Sequence, residues 1–222
     1  MPCGEYFTSY EDRMGLIRWR IERVAFVLAL PLPFLAPFLL SGGAVSMLTR
    51  ILIFIVAVLG LHVILGYAGE IVLAQGAFMA IGAYASTRIV AETGAGLVPG
   101  MLVGGLLTAA VAVVFGVASW RVKGFYIAIS TLALQFIAIW SLENNELAFI
   151  HGGSQQNIPR GVGLVGEFVT ISSATEQYFL VLAVTALFVL VTFNLSRTGI
   201  GRIFRGIHEN DLSSAVLGID VF

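Results

Sequence analysis

The sequence predicts an all-α integral membrane protein with about six transmembrane helices, followed by an amphipathic helix–turn–helix. Three observations carry that prediction. Of 222 residues, 58% are hydrophobic and only 11% charged, against about 45–50% and about 25% in soluble domains. The few charges gather between long uncharged runs, and the basic ones fall mostly on alternate sides of those runs. A soluble domain of about 150 residues buries only about 70% of what its chain exposes, so a soluble enzyme is excluded. A disordered tail is excluded too. The net charge of −1 gives no reason to expect a nucleic-acid partner. The one cysteine, Cys3, has no partner for an intrachain disulfide.

Taken in order, residues 1–23 form a charged N-terminal segment. Spans are expected near 24–41, 51–69, 71–88, 97–118, 124–142 and 177–196, all within one transmembrane domain, 1–222. The first contains Pro31, Pro33 and Pro37. It reads as a signal anchor rather than a cleaved leader, because 1–23 is long and no small-residue cleavage site follows. A neighbouring span is expected to satisfy the carbonyls its prolines free. Glu70 divides the second span from the third, where Gly66, Tyr67, Ala68 and Gly69 signal a turn. Between the last two spans, 143–176 is expected to form an external loop, either a small ordered lobe or a partly re-entrant segment. With the N-terminus cytoplasmic, inside segments hold Arg13, Arg18, Arg20, Arg23, Arg121, Lys123, Arg197, Arg202 and Arg205. Outside segments then hold only Arg50, Arg88 and Arg160, as the positive-inside rule requires.

Little in the chain points to catalysis. A phosphate-binding G-x-x-x-x-G-K-[ST] is missing, and His62, His151, His208 and Cys3 lack metal-ligand spacing. No catalytic, cofactor or metal residue is therefore assigned. His62 reads as a helix-to-helix hydrogen-bond partner before it reads as a functional site. Glu70 reads as a solvated turn charge, with a gating role as the alternative. Gly76-x-x-x-Ala80, Gly100-x-x-x-Gly104, Gly105-x-x-x-Ala109 and Ala112-x-x-x-Gly116 place small residues on helix faces, which favours close packing in lipid. Gln75, Tyr126, Ser130, Thr131 and Gln135 are neutral polar residues within spans. They either line a passage for a polar solute or bond across helices.

After the last span, 197–220 is expected to be cytoplasmic. Ile200, Ile203, Phe204 and Ile207 form one apolar stripe, with Arg202, Arg205 and Glu209 off it. Asp211 is expected to cap a second short helix, Leu212 to Leu217, ended by Gly218. Such a pair either lies on lipid headgroups or docks into a soluble partner.

Four stretches resemble one family. GLHVILGYAGEIVLAQGAFMAIGAYAS (60–86), KGFYIAISTLALQFI (123–137), HGGSQQNIPRG (151–161) and GRIFRGIHENDLSSAVLGID (201–220) occur in the order found in LivM-type branched-chain amino acid ABC-transporter permeases. The chain departs from that pattern at Glu70, where Gln is common. It departs again at Val72, Leu73 and Ala74, where Ser-Leu-Gly is common, and at Ser213 and Ser214, where paired alanines are common. The chain stops at Phe222, whereas family chains continue through further spans, so a C-terminal truncation is expected.

The resemblance implies the inner-membrane permease of a bacterial ATP-driven importer for branched-chain amino acids or a related small polar solute. Two cytoplasmic ATPase subunits would hold ATP and Mg and grip 197–220, so this chain itself has no cofactor. That favours docking, through Ile200, Ile203, Phe204, Arg205, Ile207, Glu209 and Gly218. A second permease, LivH-like or a copy of this chain, would complete the pathway within the bilayer, and a periplasmic binding protein would deliver the solute. Gly152, Gly153 and Ser154 match an external-loop motif of the family. The alternative is a stand-alone channel or secondary carrier, which needs no ATPase. A membrane enzyme fits poorly, for want of any His, Cys or acidic cluster at depth.

Overall fold

The computed structural model describes residues 31–119, 124–144, 163–164, 173–216 and 218. Among them the regular structure is helical. The helices are α1 (Leu32–Leu39), α2 (Gly42–Leu61, continued as a π-helix over His62–Ala68), α3 (Gln75–Thr93) and α4 (Leu97–Ser119). They continue with α5 (Phe125–Glu143), α6 (Ala174–Arg197), α7 (Gly199–Glu209) and α8 (Asp211–Val216). Gly42–Ala68, Leu97–Val117, Phe125–Glu143 and Ala174–Arg197 are long and apolar enough to cross a membrane. The expected third span, α3, has the length but carries Gln75, Arg88 and Glu92 and is less apolar. Residues 24–30 of the expected first span lie outside the described residues, as do 1–23, Arg121, Lys123 and Arg160.

Several boundaries differ from expectation, among them the starts of α2 and α3 and the end of α3, at Thr93 rather than 88. The second span was expected to start after Arg50, yet α2 begins at Gly42 and carries Arg50 in its interior. With its π-helical extension it runs 27 residues, or roughly 40 Å, which exceeds a hydrocarbon core of about 30 Å. Arg50 lies only about 12 Å from the helix start, where a long basic side chain can reach the interface. The third span was expected from 71, yet 71–74 has no helical structure and α3 starts at Gln75. The reason is tertiary: Thr131 and Gln135 of α5 take up backbone N–H groups there.

The helices pack as two groups. In the first, α6 lies along α2 and α1 rests on α6. Pro37 has no N–H to give Pro33, four residues earlier, so the Pro33 carbonyl is freed. The Tyr178 hydroxyl of α6, only 2% exposed, donates to that carbonyl at 2.8 Å. This is the neighbouring-span rescue the sequence predicts. Further along, Thr185 Oγ1 bonds the Val181 carbonyl at 2.8 Å and lies 3.4 Å from the Leu52 carbonyl of α2. A capping box opens α6: Ser173 Oγ accepts from Glu176 N–H, and Glu176 Oε2 accepts from Ser173 N–H. It starts the helix three residues before the expected 177.

The second group is α3, α4 and α5. A Cβ added at Gly104 would lie 2.8 Å from the Gly82 carbonyl oxygen and 2.8 Å from Ser86 Cβ, so the α3 and α4 backbones are nearly in contact. Gly105 and Gly116, by contrast, face open space. Of the small-residue pairs, the one at Gly100 and Gly104 therefore packs the α3–α4 interface. On the other side of α3, Ala74, Ala77, Leu134 and Ala138 form a buried cluster, with Phe78, Ile81 and Phe115 around it. Gly163 and Leu164, from the expected loop 143–176, accept bonds from Leu97 N–H and Val98 N–H at 2.8 and 3.0 Å. Two of the unpaired donors at the start of α4 are thus satisfied by loop carbonyls.

Candidate functional site: a helix break and the amphipathic helix docked on it

The two groups join where the long apolar run is broken, at 69–74. The α-helix widens into a π-helix over His62–Ala68 and ends at Gly69, whose φ of 75° is left-handed. That conformation favours glycine, and π turns recur at functional positions in helices. The chain then runs without helical structure from Glu70 to Ala74, and α3 starts at Gln75. Ala74 stands at the N-cap of α3 and makes no side-chain cap bond.

The missing cap comes from another helix. Gln135 Oε1 of α5 accepts from Ala77 N–H at 2.7 Å. Thr131 Oγ1, one turn earlier on α5, accepts from Leu73 N–H at 3.0 Å. Gln75 reaches the other way, its amide donating to the Ala57 carbonyl of α2 at 3.1 Å beside Gly60. Unsatisfied backbone groups are costly where water is absent, so these side chains are what permits a break here. Gly76 leaves room for the Gln135 amide, since a Cβ there would lie 2.8 Å from Nε2.

Of the polar residues singled out in the sequence, the fold brings Gln75, Thr131 and Gln135 together at the break. All three are engaged in bonds between helices. Tyr126 is 71% exposed, one turn before Ser130, which is half-buried on the same helix. Glu70 is exposed at the start of the break, its N–H directed to the Ile64 carbonyl at 3.4 Å.

The amphipathic helix α7 reaches the same place from α6. Its first turn is pressed against the end of α6, because buried Gly201 faces the Leu195 carbonyl with no room for a Cβ. Thr198 links the two helices, donating to the Leu195 carbonyl at 2.7 Å. One flank of α7 then lies on the π segment. A Cβ on Gly69 would fall within the His208 ring. The Arg205 guanidinium stands 5.0 Å from the centre of the Tyr67 ring, which meets the His62 ring edge-on with ring centres 5.2 Å apart. Arg205 also donates to the Ser196 carbonyl at 3.2 Å, at the end of α6.

The apolar stripe faces elsewhere. Ile200, Ile203 and Phe204 remain 55%, 39% and 36% exposed, with Ile207 half-buried. Glu209 is exposed in the last turn of α7. The cap of α8 falls on Asn210 rather than on Asp211, because the Asn210 carbonyl accepts the first helical bond, from Ser214 N–H at 3.1 Å. Asp211 is itself the first helical residue. Gly218, φ 81°, follows α8 in the left-handed conformation, as the sequence predicts. Gly152, Gly153 and Ser154 lie outside the described residues. The contacts of His208 with Gly69 and of Arg205 with Tyr67 are not legible in the sequence, because only the fold reveals that α7 packs against the π segment.

Four apolar helices of spanning length, with a further helix, α3, whose start is capped from α5, define a multi-pass membrane protein. The chain belongs to the family described as branched-chain amino acid transport system / permease component, which it matches over residues 43–222. It is 30% identical over 221 residues to the high-affinity branched-chain amino acid transport system permease protein LivM of Salmonella typhimurium. That alignment covers 90% of this chain and 52% of the relative. Against LivM of Escherichia coli the identity is 31% over 218 residues, covering 89% of this chain and 51% of the relative. The chain thus spans about half the length of the curated relatives it matches. No solved structure matches it.

Proposed function

We propose that this chain is the inner-membrane permease component of an ATP-driven importer for branched-chain amino acids or a related small polar solute. Family membership over residues 43–222 sets the class. The single structural observation that supports ATP coupling is the open stripe of α7. Ile200, Ile203 and Phe204 stay exposed although the opposite flank of the helix is packed. In this reading α7 is cytoplasmic, the N-terminus lies on the same side, and the stripe seats a Walker-motif ATPase subunit that holds ATP and Mg. Ile207, Glu209 and Gly218 complete that surface, and Arg205 fixes its orientation from behind. A second permease and a periplasmic binding protein complete the assembly. The helix break lies beside the solute passage, with Tyr126 and Ser130 nearest to lining it. Gly152, Gly153 and Ser154 belong to the external face.

The test is affinity purification from the native membrane with mass spectrometry of the companions. Walker-motif ATPase subunits are expected with the native chain. Their recovery should fall about tenfold or more in Ile203→Glu, which places a charge in an apolar contact worth on the order of 2 kcal/mol. Recovery of the native chain with no ATPase, after mild crosslinking, would contradict the proposal.

A further inference from the structure

The contacts of α7 and those of α5 act on one short segment from opposite ends. Gly69 accepts the His208 ring where a Cβ would collide, and Tyr67 lies under Arg205. Leu73 N–H and Ala77 N–H are held by Thr131 and Gln135. From Gly69 to Leu73 the chain reaches at most about 14 Å. A displacement of α7 therefore has little slack to absorb it before the α3 cap is pulled.

We infer that Arg205 and His208 are positioning residues that set the geometry of the helix break, so that α7 steers the start of α3 through the π segment His62–Ala68. Arg205 ties the Tyr67 ring to the Ser196 carbonyl at the end of α6, so any rotation of α7 about the bend at Thr198 pulls on the Tyr67 ring. The π segment supplies the adjustable part. A π turn holds one residue more than an α turn. Closing it back to α geometry hands that residue to 69–74 and displaces the break by roughly 1.5–3.4 Å. Such a step is comparable with the reach of the hydrogen bonds that Thr131 and Gln135 make, so it exchanges one set of caps for another. The motive force for that step rests on the importer reading. The mechanical link between α7 and the break does not.

The test uses the full chain in native membranes, in a Cys3→Ser background, with a nitroxide on Leu73→Cys and, separately, on Leu106→Cys. Position 73 is in the break; position 106 is exposed on α4. The label at 73 is expected to be immobilised in the otherwise native chain and to shift to a mobile line shape in Arg205→Ala/His208→Ala. Restoring position 205 as Arg205→Lys, with His208 intact, should return it, since an ammonium can still sit over Tyr67. The label at 106 should not change. An unchanged spectrum at 73 would overturn the inference. So would equal mobilisation at 73 and 106, which would make α7 a general prop of the fold. Co-purification of ATPase in the same membranes reports separately on the importer reading. Its absence with the native chain would sink that reading while the spectra still decide the link.

Discussion

The α2–α6 pair and the α3–α4–α5 group solve the same problem in opposite ways. Helices in lipid gain little from hiding apolar surface from one another, so contact must come from shape or from hydrogen bonds. The α2–α6 pair meets through ordinary side chains, with Thr185 supplying a polar contact to α2 and Tyr178 one to α1. The α3–α4 contact depends on side chains that are absent, at Gly82, Gly100 and Gly104. The α3–α5 contact depends on amide and hydroxyl groups that complete a broken helix. The first arrangement should tolerate substitution, whereas the second should fail at single atoms.

The sharpest way to break that contrast is to add volume at adjacent glycines of α4. Gly104→Leu forces a side chain into the Gly82 carbonyl and Ser86, and overpacking of that kind costs about 1–3 kcal/mol or more. Gly105→Leu enters open space and should stay within about 0.5 kcal/mol of the parent. Thermal unfolding of the two variants in the same detergent compares them directly. Equal stability would remove the close-contact account of α3 and α4.

Next in size is the cap supplied by Gln135. Gln135→Leu keeps the bulk but leaves Ala77 N–H without its acceptor, a loss of about 1–3 kcal/mol. Hydrogen exchange at the start of α3 should accelerate while α6 keeps its protection. In the tolerant half, Tyr178→Phe removes one neutral hydrogen bond to the Pro33 carbonyl and should cost about 1 kcal/mol. Faster proteolysis near α1, without loss of the α3–α5 group, is the expected readout. Smallest is Arg88→Ala, which deletes an exposed i,i+4 pair with Glu92 at 2.7 Å. Such pairs contribute about 0.3–0.5 kcal/mol, so the melting temperature should barely move.

What the sequence foretold follows the reach of local physics. The limits of α4 and α5 fall within a residue of expectation, because polar or charged residues flank both runs. Arg50 misled the boundary of α2, since a charge marks a span end only when its side chain cannot reach the interface. The unwound stretch at 71–74 was beyond local reasoning. Val72, Leu73 and Ala74 are apolar, and only Thr131, 58 residues on from Leu73, shows why the backbone there is free of helix. The stripe of Ile200, Ile203, Phe204 and Ile207 was legible from its spacing. The seat of α7 was not, because Gly69 and His208 meet only through the bend between α6 and α7 at Thr198. The neutral polar residues of the spans were ambiguous in sequence, and the fold spends Gln75, Thr131 and Gln135 on backbone groups.

The central claim is that the amphipathic helix rests on the broken helix of its own chain. Tyr67→Cys with Arg205→Cys, in a Cys3→Ser background, tests it with a short bifunctional thiol reagent applied to native membranes. The account predicts rapid crosslinking within one chain, seen as a mobility shift without dimer formation, and not with either single cysteine. No crosslink between 67 and 205, or one formed only between two chains, would contradict it.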